Sequence, residues 1–113
     1  MKFDKSLLSG STRLLVLSLL AEEDCYGYQL IRKLEERSQK VFSLQEGTLY
    51  PVLHKLEGDG AVRAYEKEEG GRKRRYYTLT DRGRKQLSEE KEQWHAFQTA
   101  VGRVIGGEAY GLA

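Results

Sequence analysis

The chain has 113 residues, 39% of them hydrophobic and 32% charged, which is the composition of one small globular domain. Its formal net charge is only +2, so a nucleic-acid partner would have to be bound by local basic clusters rather than by the overall charge. The single cysteine, Cys25, excludes an intramolecular disulfide and any cysteine-based metal site. We therefore expect a cytoplasmic protein.

The N-terminal segment lacks the long apolar core of a signal peptide, and no stretch approaches the length of a membrane span. We therefore expect no membrane partner. Phe3, Leu7 and Leu8 form one face of a short arm that is interrupted by Ser9-Gly-Ser11. We expect this apolar face to contact a second copy of the chain.

Two helices are predicted before the middle of the chain. Residues 12–21 are almost continuously apolar, which predicts a buried central helix capped by Ser11 or Thr12. Asp24 is the predicted cap of the next helix, residues 26–37, in which Leu30 and Leu34 share a stripe. Residues 40–44 then link this helix to a third one.

The third helix is predicted to begin at Ser43, because Ser43 and Glu46 have the spacing of a capping box. Its apolar residues recur at i, i+3, i+4 and i+7, which directs one stripe toward a core. These residues are Leu49, Val52, Leu53 and Leu56. The outward face carries Gly47, Thr48, Tyr50, Pro51, His54 and Lys55.

That outward face is unusual for a purely structural helix. Pro51 removes a backbone hydrogen bond and presses on the carbonyl of Gly47, and a glycine there absorbs the push and lets the backbone approach a phosphate. We therefore interpret this helix as a reader of the DNA groove. A short surface helix with an early kink is the alternative.

A hairpin with a basic tip is predicted after the turn signal Gly58-Asp-Gly60. Strand-forming residues occupy 61–67 and 74–79, and Gly70-Gly71 between them permits the positive φ of a tight hairpin turn. The tip and second strand carry Arg72, Lys73, Arg74 and Arg75. These cations could contact several DNA phosphates, although a run of charges is often only a solvated face. The acidic pair Glu68-Glu69 lowers the positive potential of the tip unless it faces away from the DNA.

These motifs resemble the signature of the PadR family of transcriptional regulators. The matching residues are Gly47-Thr-Leu-Tyr-Pro51, Leu53, Leu56-Glu57, Asp59-Gly60 and Arg75-Tyr-Tyr-Thr-Leu-Thr-Asp-Arg-Gly83, with Tyr26-Gly-Tyr-Gln-Leu30 upstream. They follow the family's order and spacing. The resemblance implies a winged helix-turn-helix, dimerisation through a single C-terminal helix, and repression of genes for detoxification or efflux. It also implies that the Tyr50 hydroxyl lies near the DNA backbone.

A long C-terminal helix is predicted over residues 80–105, with Thr80 as its cap. Its apolar residues are spaced mostly three and four apart, as in a coiled-coil seam that has no partner within one subunit. They are Leu87, Trp94, Phe97, Val101 and Val104. We therefore expect a homodimer whose interface combines this seam with the N-terminal arm, and a loosely ordered glycine-rich tail at 106–113.

Trp94 and Phe97 are also candidate effector-binding residues. In a multidrug-binding branch that this chain resembles, a tryptophan at the matching position lines a cavity between subunits where flat aromatic compounds stack. Trp94 is equally well explained as interface core, since interfaces are enriched in tryptophan.

No enzymatic site is predicted. His54 and His95 stand on different helices without partners at metal-ligand spacing, and no nucleophile motif or phosphate-binding loop is present. We expect neither a metal nor a cofactor. Cys25 is interpreted as a small buried hydrophobe, with redox sensing as the lesser alternative.

Together these patterns predict a mainly α protein with a two-stranded β wing. We expect a winged helix-turn-helix with its arm at residues 1–79, a dimerisation helix at 80–105 and a tail at 106–113. The expected protein is a homodimeric transcriptional repressor that binds a pseudo-palindromic operator in double-stranded DNA and is released by a small hydrophobic or aromatic effector. A protein-interaction or RNA-binding winged helix is the alternative, because fold alone does not decide function.

Overall fold

The computed structural model describes residues 3–106, which form five helices and three strands. Their order is α1 (Lys5–Ser9), α2 (Thr12–Glu22), β1 (Cys25–Tyr26), α3 (Gly27–Arg37), α4 (Glu46–Gly58), β2 (Val62–Glu69), β3 (Arg72–Leu79) and α5 (Asp81–Ile105). Among the helices of this described part, none combines the length and apolarity needed to cross a bilayer. The predicted tail lies outside the described residues except for Gly106.

The core is built on α2, as its nearly continuous apolar sequence predicted. Val16, Leu17 and Leu20 of this helix are almost completely buried. Around them pack the inward stripes of α3 and α4, with leucines 30, 34, 49, 53 and 56 all in the same core. The apolar periodicity therefore identified the buried face of each helix, and it left the opposite face of α4 to solvent.

Helix α4 begins three residues later than predicted. Glu46 is its first residue, and the cap position belongs to Gln45, whose carbonyl accepts from the amides of Thr48 (3.0 Å) and Leu49 (2.9 Å). The capping box at Ser43 was wrong, because Leu44 is buried and the chain must stay extended to bring it into the core.

The prediction that Asp24 caps α3 was also wrong. Its carboxylate instead accepts from the Tyr65 hydroxyl at 2.6 Å, and Tyr26 stands at the cap position, where its amide donates to the Gln29 side chain at 3.4 Å. The reason is a short strand, β1, in which Cys25 pairs with Tyr77 and Tyr26 pairs with Tyr76.

The sheet therefore has three strands, in the order β1-β3-β2, and the two-stranded wing of the sequence prediction is incomplete. The hairpin itself is confirmed: β2 and β3 pair antiparallel from Val62–Leu79 to Glu69–Arg72. Gly70 and Gly71 have φ values of 56° and 78°, as a two-residue turn that fits the strand twist requires. This geometry places Arg72 and Lys73 at the far end of the wing.

Helix α5 leaves the domain in a single run of 25 residues. Thr80 caps it as predicted, since its hydroxyl accepts from the Gly83 amide at 3.0 Å. The inclusion of Leu87 in the dimer seam was wrong, because this residue is only 6% exposed and packs into the chain's own core. The first turns of α5 thus belong to the winged domain, and the exposed seam begins at Trp94.

Candidate nucleic-acid interface

Helix α4 presents a polar outer face. Gly47, Thr48, Pro51, His54 and Lys55 are all exposed, while the stripe on the other side is buried. The helix continues through Pro51 to Gly58, and a side chain added at Gly47 would meet nothing within 4 Å. The first turns of α4 therefore offer an open surface on which a DNA backbone could lie close to the helix.

Tyr50 differs from its neighbours, because it links α4 to α3. It is 37% exposed, and a Cβ added at Gly27 would lie 2.4 Å from its hydroxyl oxygen. Burial raises the pKa of the Tyr50 phenol, with the Glu46 carboxylate adding to the effect, so the hydroxyl keeps its proton and can donate a hydrogen bond. Sequence reasoning missed the role of Gly27, although the Tyr-Gly-Tyr motif contained it.

The four basic residues of the wing divide into two pairs with different environments. Arg72 and Lys73 at the tip are exposed, and within residues 3–106 neither forms an ion pair. The Arg75 guanidinium is paired with the Glu57 carboxylate of α4 at 3.1 Å, and that of Arg74 lies 4.5 Å above the Tyr26 ring. The inner pair therefore fixes the wing against β1 and α4, while the outer pair is exposed to solvent.

A cluster of tyrosines stiffens the outer face of the sheet. Tyr76 stacks on Tyr65 with ring centroids 5.7 Å apart and meets Tyr26 edge-on at 5.4 Å. Its hydroxyl donates to the Glu69 carboxylate, which raises the pKa of Tyr76 to about 12 and lowers the pKa of Glu69. Lys67 also contacts Glu69, at 3.3 Å. Glu69 is thus held by two partners, which weakens its opposition to the basic tip.

The free half of α5 carries the remaining predicted residues. Trp94 is 47% exposed and Phe97 is 54% exposed, and their ring centroids lie 6.2 Å apart. Val101 and Val104 continue the exposed seam toward the end of the helix. This arrangement leaves a continuous apolar stripe without a partner inside the described chain.

The N-terminal arm packs on the segment that joins α3 to α4. Phe3 packs on Phe42 with ring centroids 5.9 Å apart, Leu7 is exposed and Leu8 is half-buried. Next to Phe42, a shallow groove of about 230 Å³ runs between α2 and α3. It is lined by Leu15, Ser18, Leu19, Glu22, Leu34, Arg37, Ser38 and Phe42.

The two histidines and the single cysteine lie in the part of the chain that the structure describes. No group of three or more His, Cys, Asp or Glu residues there could hold a metal ion. Cys25 is fully buried, and burial raises the pKa of its thiol to about 11. A thiol with this pKa is almost entirely protonated at neutral pH and is a poor nucleophile.

Helices α2 to α4 and the β2–β3 hairpin define the class of the protein: a winged helix-turn-helix, with α4 in the position of the groove-reading helix. A sequence profile of the transcriptional regulator PadR-like family matches residues 16–89, and the chain belongs to this family. The resemblance expected from the sequence is thereby confirmed, and the protein is a transcriptional regulator.

Relatives and solved structures agree with this assignment. The chain is 33% identical over 101 residues to the transcriptional regulator Rv3488 of Mycobacterium tuberculosis, covering 89% of each chain. It is 36% identical over 98 residues to the transcriptional regulator YqjI of Escherichia coli, but these residues are 86% of this chain and only 46% of that protein. A PadR family transcriptional regulator from Eggerthella lenta superposes with a TM-score of 0.80 at 34% identity, covering 89% of this chain and 87% of that one.

Proposed function

We propose that the protein is a homodimeric repressor that binds a pseudo-palindromic operator in double-stranded DNA. The observation that carries this proposal is the exposed polar face of α4 together with the two solvent-facing cations, Arg72 and Lys73, at the wing tip. Side chains on a groove-reading helix can contact base edges, while wing cations contact phosphates and fix the register. The two surfaces therefore supply the two kinds of contact that specific binding needs.

Individual roles follow from position on this surface. Lys55 contacts phosphate, while Thr48 and His54 contact base edges or the backbone. Tyr50 acts at the junction of α3 and α4, since its hydroxyl lies against Gly27, and this position favours a backbone contact. Gly47 and Pro51 contribute by leaving the helix surface low enough for DNA to approach.

Two unpartnered apolar surfaces support the dimer. The seam from Trp94 to Val104 is exposed, and the groove between α2 and α3 has apolar walls that include Leu15, Leu19 and Leu34. In the proposed dimer, the α5 seam of one subunit packs against the α5 seam of its partner and enters the partner's groove between α2 and α3. The arm with Phe3, Leu7 and Leu8 lies at the edge of this interface. A two-fold axis would then present two α4 helices to one face of DNA.

The effector proposal rests on the Trp94–Phe97 pair. The two rings are inclined by 33° and leave their outer faces exposed, so two-fold symmetry would bring four aromatic rings into one region. A planar aromatic molecule bound there would favour one dimer geometry and shift the population away from the DNA-competent form. A nearly complete shift requires it to discriminate between the two geometries by about 5.5 kcal/mol.

A gel shift on the region upstream of the protein's own gene tests the DNA-binding proposal. We expect a complex that weakens steeply with salt and resists competition by RNA of equal length. Replacing both Thr48 and His54 by alanine should reduce affinity roughly tenfold or more, since a good base contact contributes about 1–3 kcal/mol. The control is Ser88→Ala, an exposed residue on α5. Equal competition by RNA would support the RNA-binding alternative, whereas an unchanged affinity of the double variant would remove Thr48 and His54 from the DNA interface.

The same assay tests the effector. Planar aromatic dyes are titrated against Trp94 fluorescence, and compounds that quench it are added to the gel shift. We expect quenching and release of DNA over the same concentration range. Quenching without release would leave a binding pocket but no switch, and a broad panel without quenching would return Trp94 to the interface core.

A further inference from the structure

The turn that follows α4, the proposed DNA-recognition helix, is held against the start of α5 by close contacts. The Thr80 amide donates to the Ala61 carbonyl at 3.0 Å, and the Thr80 hydroxyl lies 2.7 Å from the Gly60 carbonyl. A Cβ added at Gly83 would lie 2.0 Å from the Ala61 carbonyl oxygen, so the first turn of α5 sits directly on the turn that follows α4. These contacts hold the first turn of α5, and Leu87 packs into the core one turn further along.

A second contact lies one to two turns further along α5 and comes from α2. The Arg13 guanidinium pairs with the Asp59 carboxylate at 3.1 Å and with the Glu90 carboxylate at 3.1 Å, and it also donates to the side-chain oxygen of Gln86. Asp59 directly follows α4, while Gln86 and Glu90 are one turn apart on α5. One side chain on α2 therefore holds both the end of the recognition helix and the body of α5.

Arginine is suited to this role because its planar group presents five donors in a fixed geometry, whereas lysine offers a compact charge on a flexible stem. The Arg13 side chain is 30% exposed, and its partners Asp59 and Glu90 are 40% and 26% exposed. Ion pairs at such positions are weak singly, but one ordered side chain with three partners forms a network, which is the case in which surface charges matter.

We propose that Arg13 is a positioning residue that sets the angle between the recognition helix and α5, and through it the spacing of the two recognition helices in the dimer. The proposal rests on the proposed dimeric DNA-binding function for its second half only. A helix of 25 residues is about 37 Å long, so a change of about 5° at its start moves its far end by roughly 3 Å. That displacement is close to the 3.4 Å rise of one base pair. A loosened angle therefore lets the dimer accept operators whose half-sites differ in separation by a base pair.

Distances between two spin labels within one chain test the first half directly. Cysteines replace Lys55 on α4 and Ala96 on α5, both exposed, and the native Cys25 remains because it is buried and unreactive. Labelled protein is diluted with unlabelled protein so that only distances within one chain are measured. We expect a narrow distribution in the parent and one about twice as wide in Arg13→Gln, with Arg13→Lys in between.

The matched control is Arg32→Gln, which removes an ion pair within α3 alone, to Glu36 at 3.7 Å. It should leave the distribution unchanged. Thermal unfolding of each variant confirms that the labelled chains are folded. Equal widths in Arg13→Gln and the parent would overturn the proposal, whatever the DNA-binding result.

The second half is tested with a duplex that the parent protein selects from a random 40-base-pair library. One base pair is then inserted between its half-sites or removed from there. We expect the parent to lose affinity at least tenfold and Arg13→Gln to lose less than threefold, a change in selectivity that mere loss of stability would not produce. Equal losses in both proteins would refute the spacing role. Failure of the parent to bind any selected duplex would instead refute the proposed function, while the distances within one chain still report on Arg13.

Discussion

At the scale of single residues, two glycines near the starts of neighbouring helices have opposite environments. Gly27 lies under the Tyr50 hydroxyl with no room for a methyl group, whereas Gly47 faces open space. The same substitution at both positions therefore separates a packing role from a role in DNA approach.

We predict that Gly27→Ala destabilises the protein by about 1–3 kcal/mol, because the added Cβ must displace Tyr50. Gly47→Ala should keep or slightly increase stability, since alanine is favoured over glycine in helices by about 0.5–1 kcal/mol. Urea unfolding of both variants measures this. Gly47→Ala should nonetheless bind DNA more weakly if DNA approaches this turn, and a variant that is both stable and fully active would remove Gly47 from the interface.

The Tyr76–Glu69 hydrogen bond predicts a dependence of stability on alkaline pH. The pKa of Tyr76 is raised to about 12 in the folded protein, above the value near 10 of an unfolded chain, so the folded state holds this proton more tightly. Its contribution is complete below about pH 10 and is lost as the pH rises toward about 12. The Tyr76→Phe variant should therefore lack the part of the stability loss at alkaline pH that comes from deprotonation of Tyr76.

Urea midpoints measured between pH 9 and pH 11.5 test the Tyr76 prediction. Tyr28→Phe, at an exposed position on α3, is the control. If Tyr76→Phe and the parent lose stability in parallel over this range, the hydrogen bond does not contribute to folding.

At the scale of elements, the wing combines a fixed middle with an exposed tip. Arg74 over Tyr26 and Arg75 with Glu57 hold the middle of the hairpin, while Arg72 and Lys73 have no such partner within residues 3–106. The wing should therefore act as a rigid carrier for two cations.

We predict that replacing Arg72 and Lys73 by glutamine weakens binding to all duplexes and flattens the dependence of log affinity on log salt concentration by about 1.8 per wing. Arg75→Gln, which removes an intramolecular ion pair, is the comparison and should change the slope less. A gel shift at four or more salt concentrations provides the slopes. An unaltered slope in the double variant would mean that the wing points away from DNA.

The elements differ in how far the sequence could define them. The helices and the hairpin were predicted because each repeats its signal over several residues: buried stripes in α2 to α4, and turn glycines between two strand-forming runs. The start of α4 was missed because a local cap at Ser43 competes with burial of Leu44, a tertiary effect that no local motif contains. The strand β1 was missed because two residues show no periodicity.

The candidate site was only partly accessible from the sequence for a similar reason. Exposure of the α4 face follows from its buried stripe, so the sequence could predict it. The contacts of Arg13 join residues 46 to 77 positions apart, and nothing near Arg13 in the sequence indicates its partners. Leu87 was likewise predicted to lie in the dimer seam because its spacing fits the apolar pattern of α5. Its burial in the core depends on how α5 packs on the rest of the chain, and the pattern within one helix does not reveal this.

At the scale of the whole molecule, the exposed half of α5 is the surface on which the proposed dimer depends. We predict that Phe97→Asp makes the protein monomeric at micromolar concentration, because a carboxylate would be buried in the apolar seam. Ala96→Asp places the same charge on an exposed position away from the seam and should leave a dimer. Sedimentation equilibrium measures both, and a monomeric parent would also remove the two-half-site operator, whose centres should lie about 34 Å apart.

The position of β2 in the sheet gives its acidic residues a further consequence. β3 lies in the middle, so one edge of the eight-residue strand β2 has no strand beside it within residues 3–106, and an unpaired edge of this length can template pairing with other chains. The second half of the strand is Glu66-Lys67-Glu68-Glu69, all charged. Two molecules brought edge to edge would place these carboxylates close together and strip them of water. We therefore expect the acidic residues of β2 to limit aggregation, so that neutralising them to strengthen DNA binding would make the protein less soluble.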